Sequence, residues 1–294
     1  MTSEITSSKK IQTLLDNIAG LDKKEGDPRT KEITRRIVGD LFAAIEDLDI
    51  TEEELWKTVG FFQEAAPEMS LIMPGLGFDH FCDVLMDAAD EKAGKGGGTP
   101  RTIEGPLYVE NAPVCEGCAE DMVNDGDGHP MDLSGVVKDT SGKPIPGARV
   151  DVWHASKDGG YSHFDPSLKE FAFRRTIIAD ENGAYRAKSI VPSGYAVPPG
   201  GFTEQLLDKL GRHGNRPAHV HFFASAPGHS HLTTQINIAG DPFTYDDFAF
   251  ATRDELVAQA KDVDGVANIE FDLVLAPATD EEDTNRSGRP RVVG

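Results

Sequence analysis

Between residues 94 and 100 the chain reads GKGGGTP, and the apolar pattern differs on its two sides. Glycines this dense interrupt any regular element. Before them, apolar residues recur at helical spacing: Ile11, Leu14, Leu15, Ile18 and Leu21, then Ile33, Ile37, Leu41, Ile45 and Leu48. Thr51 and Glu54 have the spacing of a capping box and open a helix carrying Leu55, Trp56, Val59 and Phe62. Phe78, Phe81, Cys82 and Leu85 mark a further helix. Beyond the glycines, short apolar runs alternate with Gly/Pro turns, as in LSGVVKDTSGKPIPGARVDVWHA, HVHFFASA and LTTQINIAG, with EFDLVLAPA expected as the last strand. RRTIIADENGAYRAKSI is expected to form a hairpin with Asn182-Gly183 at its tip, and brief helices are expected at 203–210 and 252–260. The texture predicts an α+β protein. A helical N-terminal segment over 1–105 precedes an antiparallel β-sandwich over 106–277 and a polar tail over 278–294. A helical segment with apolar stripes, attached to a sandwich that has its own core, is a natural subunit interface.

Acidic residues outnumber basic ones by 50 to 29 in a chain of 294, a formal charge of -21. Such a surface repels a phosphate backbone, so nucleic acid is excluded as a partner. No apolar run approaches a membrane span, and MTSEITSSKK carries no hydrophobic leader, so a cytoplasmic protein is expected. Three cysteines, Cys82, Cys115 and Cys118, make no disulfide framework. Cys115 and Cys118 form a CxxC beside a turn-rich stretch at 124–128, with no second pair to complete a zinc knuckle, and read as loop cysteines.

RPAHVHFFASAPGH, residues 216–229, places two histidines one residue apart at the start of an apolar run. In a strand, His219 and His221 project from one face, where two imidazoles fill a core poorly and suit a metal well. The other histidines are isolated, or follow a turn as His229 and His231 do, and read as ordinary hydrogen-bonding groups. No carboxylate in a nearby strand completes the site, and neither zinc nor iron is selected by the HxH alone. What precedes it is PSGYAVPP, with Tyr195 in a rigid Gly/Pro turn, and DGGYSHFD, with Tyr161 after two glycines.

Taken together, TPRTIEGPLY, VDVWHA, GGYSHFD, FRRTIIADENGAY, PSGYAVPP, LGRHGNRPAHVHFFASAPGH, LTTQINIAGD and DDFAFATRDELV resemble the intradiol aromatic-ring dioxygenases, in the same order and over nearly the whole chain. The catechol-cleaving branch is the closest. The resemblance implies one Fe(III) per chain held by Tyr161, Tyr195, His219 and His221 with a hydroxide. It further implies that Tyr195 leaves when a diol binds, and that catechol is cut by O2 between its hydroxyl-bearing carbons to give cis,cis-muconate. Arg216 then supplies a fixed cation beside developing charge and Gln235 a hydrogen bond. Leu71, Pro74, Ile103, Pro106, Leu107, Val197, Phe248 and Ala249 line the substrate pocket, with Val197 where many catechol enzymes carry cysteine. A homodimer through the N-terminal helices, with phospholipid at the interface, belongs to the same set of expectations.

Two other functions compete. The hairpin SGVVKDTSGKPIPGARVDVW also resembles non-catalytic β-sandwich binding modules, so it identifies a fold and no activity. Within the enzymes, hydroxyquinol and chlorocatechol are the rival substrates, and the apolar lining has nothing obvious to bond a third ring hydroxyl.

Overall fold

A computed structural model describes residues 4–122, 128–278 and 292–293. The chain divides into two compact units, Met1–Ala66 and Pro67–Gly294. That division falls before the glycine-rich stretch at 94–100, where the texture of the sequence changes.

The first unit holds three helices, α1 (Lys9–Ile18), α2 (Pro28–Asp47) and α3 (Glu52–Glu64). Each begins where its sequence satisfies the free N–H groups of a helix start. Ser8 caps α1, Asp27 caps α2 ahead of Pro28, and Thr51 and Glu54 bond reciprocally at α3, as their spacing predicts. Leu15 is buried, but Leu14, Ile18, Ile33, Ile37, Leu41, Trp56, Val59 and Phe62 remain exposed along these helices.

In the second unit, α4 (Met69–Gly75) and α5 (Phe78–Lys92) come first. Then follow β1 (Val109–Glu110), β2 (Val114–Glu116), β3 (Cys118–Ala119), β4 (Pro130–Asp139), β5 (Arg149–His154), β6 (Arg174–Ile178), β7 (Ala184–Ile190) and β8 (Tyr195–Ala196). After α6 (Phe202–Lys209) come β9 (Asn215–Arg216), β10 (His219–Ser225), β11 (Leu232–Ile238), β12 (Val257–Ala258), β13 (Lys261–Val263), β14 (Val266–Glu270), β15 (Leu273–Leu275) and β16 (Val292–Val293). One sheet has the order β12-β11-β10-β5-β6-β2 and the other β13-β14-β4-β7-β3, with β15 also on β4. Leu133 and Tyr185 of one sheet and Val152, Val220, Phe222 and Ile236 of the other share one buried apolar core.

Several details differ from what the sequence predicts. The sheets are not purely antiparallel: β2 with β6, β3 with β7, β11 with β12, and β14 and β15 with β4 all pair in parallel. The Asn182-Gly183 turn does not close a hairpin, because β6 and β7 lie in opposite sheets. Gly183 there adopts φ +73°, and a Cβ on it would lie 2.9 Å from the Val137 carbonyl, so the turn that carries the chain across the sandwich needs glycine. Residues 252–260 form only a 3-10 turn at Asp254–Leu256 before β12 takes the open edge of β11. The run EFDLVLAPA does hold a strand, β15, but a shorter one that starts at Leu273; ahead of it Tyr185 Oη donates to the Phe271 carbonyl (2.6 Å) and Val136 N to Asp272 (2.8 Å). Most of the polar tail, and the turn-rich stretch at 124–128 apart from Gly128, lie outside the described residues; Val292–Val293 pairs with β1.

Cys115 and Cys118 are on strands, not in a loop. They sit on β2 and β3, one in each sheet, and both are free. Burial pushes both thiols up, Cys118 to about 11 with help from Glu120, so neither is a ready nucleophile or metal ligand.

Candidate metal centre and active site

The alternation expected of β10 is realised on both faces. Val220, Phe222 and Ala224 enter the common core, while His219 and His221 face the other way. Register then assembles the surroundings. His221 stands opposite Gln235 on β11 and opposite Trp153 on β5, so the three side chains form one row across three strands. In the small ribbon of β8 and β9, Tyr195 stands opposite Arg216. Two glycines bring that ribbon in. A Cβ on Gly159 would lie 2.8 Å from the Cβ of Tyr195, and one on Gly194 would lie 2.6 Å from the Arg216 carbonyl.

Four donors converge. The Nε2 atoms of His219 and His221 are 3.1 Å apart, and Tyr161 Oη is 3.5 Å from His219 Nε2. The rings of Tyr161 and Tyr195 meet edge to face at 5.5 Å, and Tyr195 lies 5.6 Å from the ring of His219. His219 Nδ1 donates to the Pro217 carbonyl at 2.6 Å, which leaves its Nε2 as the lone-pair nitrogen. Burial, then the Arg216 cation, pushes His219 down to about 3, and burial with His219 as neighbour holds His221 well below the ordinary range. Both imidazoles are therefore neutral and fit to ligate. Burial also raises the Tyr161 phenol, with Tyr195 beside it adding to the effect, so losing that proton needs a cation in the site.

Among the described residues no group of three His, Cys, Asp or Glu could hold a metal. The protein donors that stand beside the two histidines are the two tyrosines. Two imidazole nitrogens and two phenol oxygens suit a hard, highly charged ion, and the site fits ferric iron by that chemistry.

Arg216 is buried rather than an exposed surface cation. Its Nη2 donates to Gln235 Oε1 (2.8 Å) and Asp247 Oδ2 (3.1 Å), its Nε to Asp247 Oδ1 (3.2 Å), and its Nη1 lies 3.2 Å from His219 Nε2. Burial opposes its charge, but Asp247 together with the neighbouring Tyr195 and Tyr161 raises it above its ordinary value. Burial likewise opposes the Asp247 carboxylate, and Arg216 holds it low. The pair is charged and fixed.

Of the pocket residues expected from sequence, Ile103, Val197, Phe248 and Ala249 form one buried cluster with Leu207 and Ala251. Leu107 packs with Tyr195 on the cluster of Tyr108, Trp153, Tyr161 and Phe223. Pro74 is buried in α4, beside a glycine whose Cβ would touch Phe248. Leu71 and Pro106 are half-buried and join neither cluster. Elsewhere, a cavity of about 620 Å³ is lined by Glu116, Cys118, Asp180, Tyr185, Arg186 and Asp272 among others; none of its lining residues belongs to the tyrosine–histidine group.

Three residues of the site escaped the sequence reading: Asp247, Trp153 and Arg174. Trp153 lies flat on His221, and Arg174 stands over Tyr161 at 5.7 Å, with burial pulling its guanidinium down to about 10. His154 behaves as an isolated histidine should, with Nδ1 on the Ala155 carbonyl and Nε2 on Ser189.

Comparison with known proteins identifies the family. Residues 103–277 match the family model described as Dioxygenase, and residues 27–94 the one described as Catechol dioxygenase N terminus. Catechol 1,2-dioxygenase of Pseudomonas sp. (strain EST1001) is 52% identical, over 96% of this chain and 98% of its own. Solved structures of catechol 1,2-dioxygenase from Acinetobacter sp. ADP1, inhibited by bound mercury, and from Pseudomonas arvilla C-1 both superpose with a TM-score of 0.92. They are 48% and 49% identical; the first covers 99% of this chain and 100% of its own, the second 98% of each. Hydroxyquinol 1,2-dioxygenase of a Rhizobium is 32% identical, over 85% of this chain and 90% of its own. With both family models matched in order and half of its residues shared with such relatives, the chain belongs to the catechol dioxygenase family of intradiol ring-cleaving enzymes.

Proposed function

We infer that this protein is an intradiol dioxygenase that takes catechol and O2 to cis,cis-muconate with one ferric iron per chain, ligated by Tyr161, Tyr195, His219 and His221. The observation that carries the reading is the convergence of those four donors beside Arg216 and Gln235 in a member of this family. Bound there, ferric iron supplies Lewis acidity and orientation to a chelating diol. The chain's own residues do the rest. Tyr161 is 3% exposed and packed in a cluster with Trp153 and Phe223, so it stays in place. Tyr195 is only half-buried, at the end of a two-residue strand, and can swing aside and accept a diol proton. Arg216, held by Asp247, keeps a fixed cation beside charge that develops on the ring, with no rearrangement at the moment of reaction. Gln235, oriented by its bond from Arg216, donates from Nε2.

Ile103, Val197, Phe248 and Ala249, with Leu71, Pro74, Pro106 and Leu107, line the diol site. A third ring hydroxyl entering this lining loses its water and gains no partner, which favours catechol over hydroxyquinol. The exposed stripes of α1 to α3 serve as the contact of a homodimer, with room for a phospholipid chain between the copies. Three free cysteines suit the reducing cytoplasm, and no described helix is long and apolar enough to cross a membrane.

Incubating the protein with catechol, hydroxyquinol and chlorocatechols in air tests this. The purified protein should be red-brown from tyrosinate-to-iron charge transfer, carry about one iron per chain by the ligand count, and turn catechol into a colourless diacid. A yellow semialdehyde would mean cleavage beside the diol and would overturn the reading.

A further inference from the structure

Arg174 begins β6 and is 1% exposed, as deeply buried as the metal-facing histidines. Its Nε donates to Ser162 Oγ (2.7 Å) and its Nη2 to the Ser162 carbonyl (3.2 Å), while Nη1 has no hydrogen-bond partner among the described residues. The other buried arginine of the site, Arg216, has the carboxylate of Asp247. Arg174 forms no ion pair with any carboxylate among the described residues, and a guanidinium does not escape its charge by losing a proton. A buried cation without counter-charge is costly, and such groups persist where negative charge is supplied.

What it faces is phenol. Its Cζ stands 5.7 Å from the centroid of the Tyr161 ring. Tyr108, the other phenol nearby, has its hydroxyl turned to Asp151 at 3.4 Å. Ser162, which holds the guanidinium twice, is the next residue after Tyr161, so the loop that presents the ring also fixes the cation over it.

We propose that Arg174 is a positioning residue for the ligand Tyr161: its guanidinium, tied twice to Ser162, is fixed against the ring, holds it in place and sets the electrostatic surroundings of that ligand. The proposal rests on the ligand set given above. A cation against the ring attracts its electrons, and because Ser162 fixes it from the loop that carries Tyr161, ring and cation move as one unit.

The visible charge-transfer band reads this directly, because its energy is that of moving a phenolate electron to iron. The band is recorded for the substrate-free, iron-loaded wild type and for R174K and R174Q, with iron content measured in each. The expected result is a band at longer wavelength in R174Q, from a phenolate that has lost its cation, with most of the shift restored in R174K. A packing role alone would lower stability and leave the band where it was. An iron-loaded R174Q with the wild-type band, or an R174K shifted as far as R174Q, overturns the proposal. Should R174Q fail to fold, S162A removes the Nε acceptor and is expected to shift the band less, in the same direction; an unmoved band there overturns it equally. A wild type with no tyrosinate band sinks the ligand set, and this proposal with it.

Discussion

The indole of Trp153 lies against the imidazole of His221, 4.8 Å between centroids and 6° between planes. The two residues are direct neighbours in the β5–β10 register, so the strand pairing itself sets the ring orientation of His221. Trp153 also meets Tyr108 and Phe223 edge to face. Trp153→Ala is expected to cost about 3–5 kcal/mol of stability through the cavity it leaves and to lower iron occupancy, because His221 loses the wall that orients it. Urea unfolding together with metal analysis checks both; full iron occupancy in a destabilised variant would separate the stack from the site.

Arg216 and Asp247 should behave unequally when altered. Arg216→Lys keeps a cation and is expected to retain iron and colour while kcat falls on the order of 10²-fold, since a point charge cannot serve Gln235 and the site at once. Asp247→Ala strands a buried guanidinium and should cost about 3–5 kcal/mol in stability as well as activity. Steady-state kinetics and thermal melts on the two variants distinguish these outcomes.

The α5 helix carries a titration of its own. Burial raises the Asp83 carboxyl to about 6, with Arg253 opposing and Asp87 adding to the rise. A carboxyl whose folded pKa lies above its unfolded value of 3.8 binds more protons in the native state, so it lowers stability as pH climbs from 3.8 through about 6. Asp83→Asn should therefore be more stable than the wild type at pH 7 by on the order of 2 kcal/mol, with the advantage vanishing toward pH 4. Chemical denaturation across that window measures it. A variant equally stable at pH 7 would show that Arg253 and Arg101 already compensate the charge.

Assembly is testable on the full chain. Ile37 and Leu41 stand one turn apart on α2, 54% and 57% exposed. If this stripe joins two copies, the wild type should sediment as a dimer and I37E/L41E as a monomer. A wild type that stays monomeric at high concentration removes the interface.

Much of the site was legible because its signals are local. The alternation in HVHFF fixes which face the histidines take, and the glycines before Tyr161 and Tyr195 announce turns. Trp153, Arg174 and Asp247 were not legible in this way. Each acts through a neighbour remote in sequence, and only the register of β5 against β10, or the return of the 241–250 loop to Arg216, reveals the contact. The Asn182-Gly183 turn misled for a related reason. Its local chemistry specifies a reversal of the chain and says nothing about which sheet receives the next strand. Residues 252–260 have helical composition, and the vacant edge of β11 overrode it.

The strict two-residue alternation of β10 has a last consequence, for how the gene can drift. Exchanging one side chain in this strand alters one contact. Inserting or deleting a single residue just ahead of His219 would flip the faces of the strand after it, sending the histidines into the apolar interior of the sandwich and Val220 and Phe222 toward Tyr161 and Tyr195. The strand can therefore vary in letters but not in length, and frame-preserving indels should be purged here even where the neighbouring loops accept them.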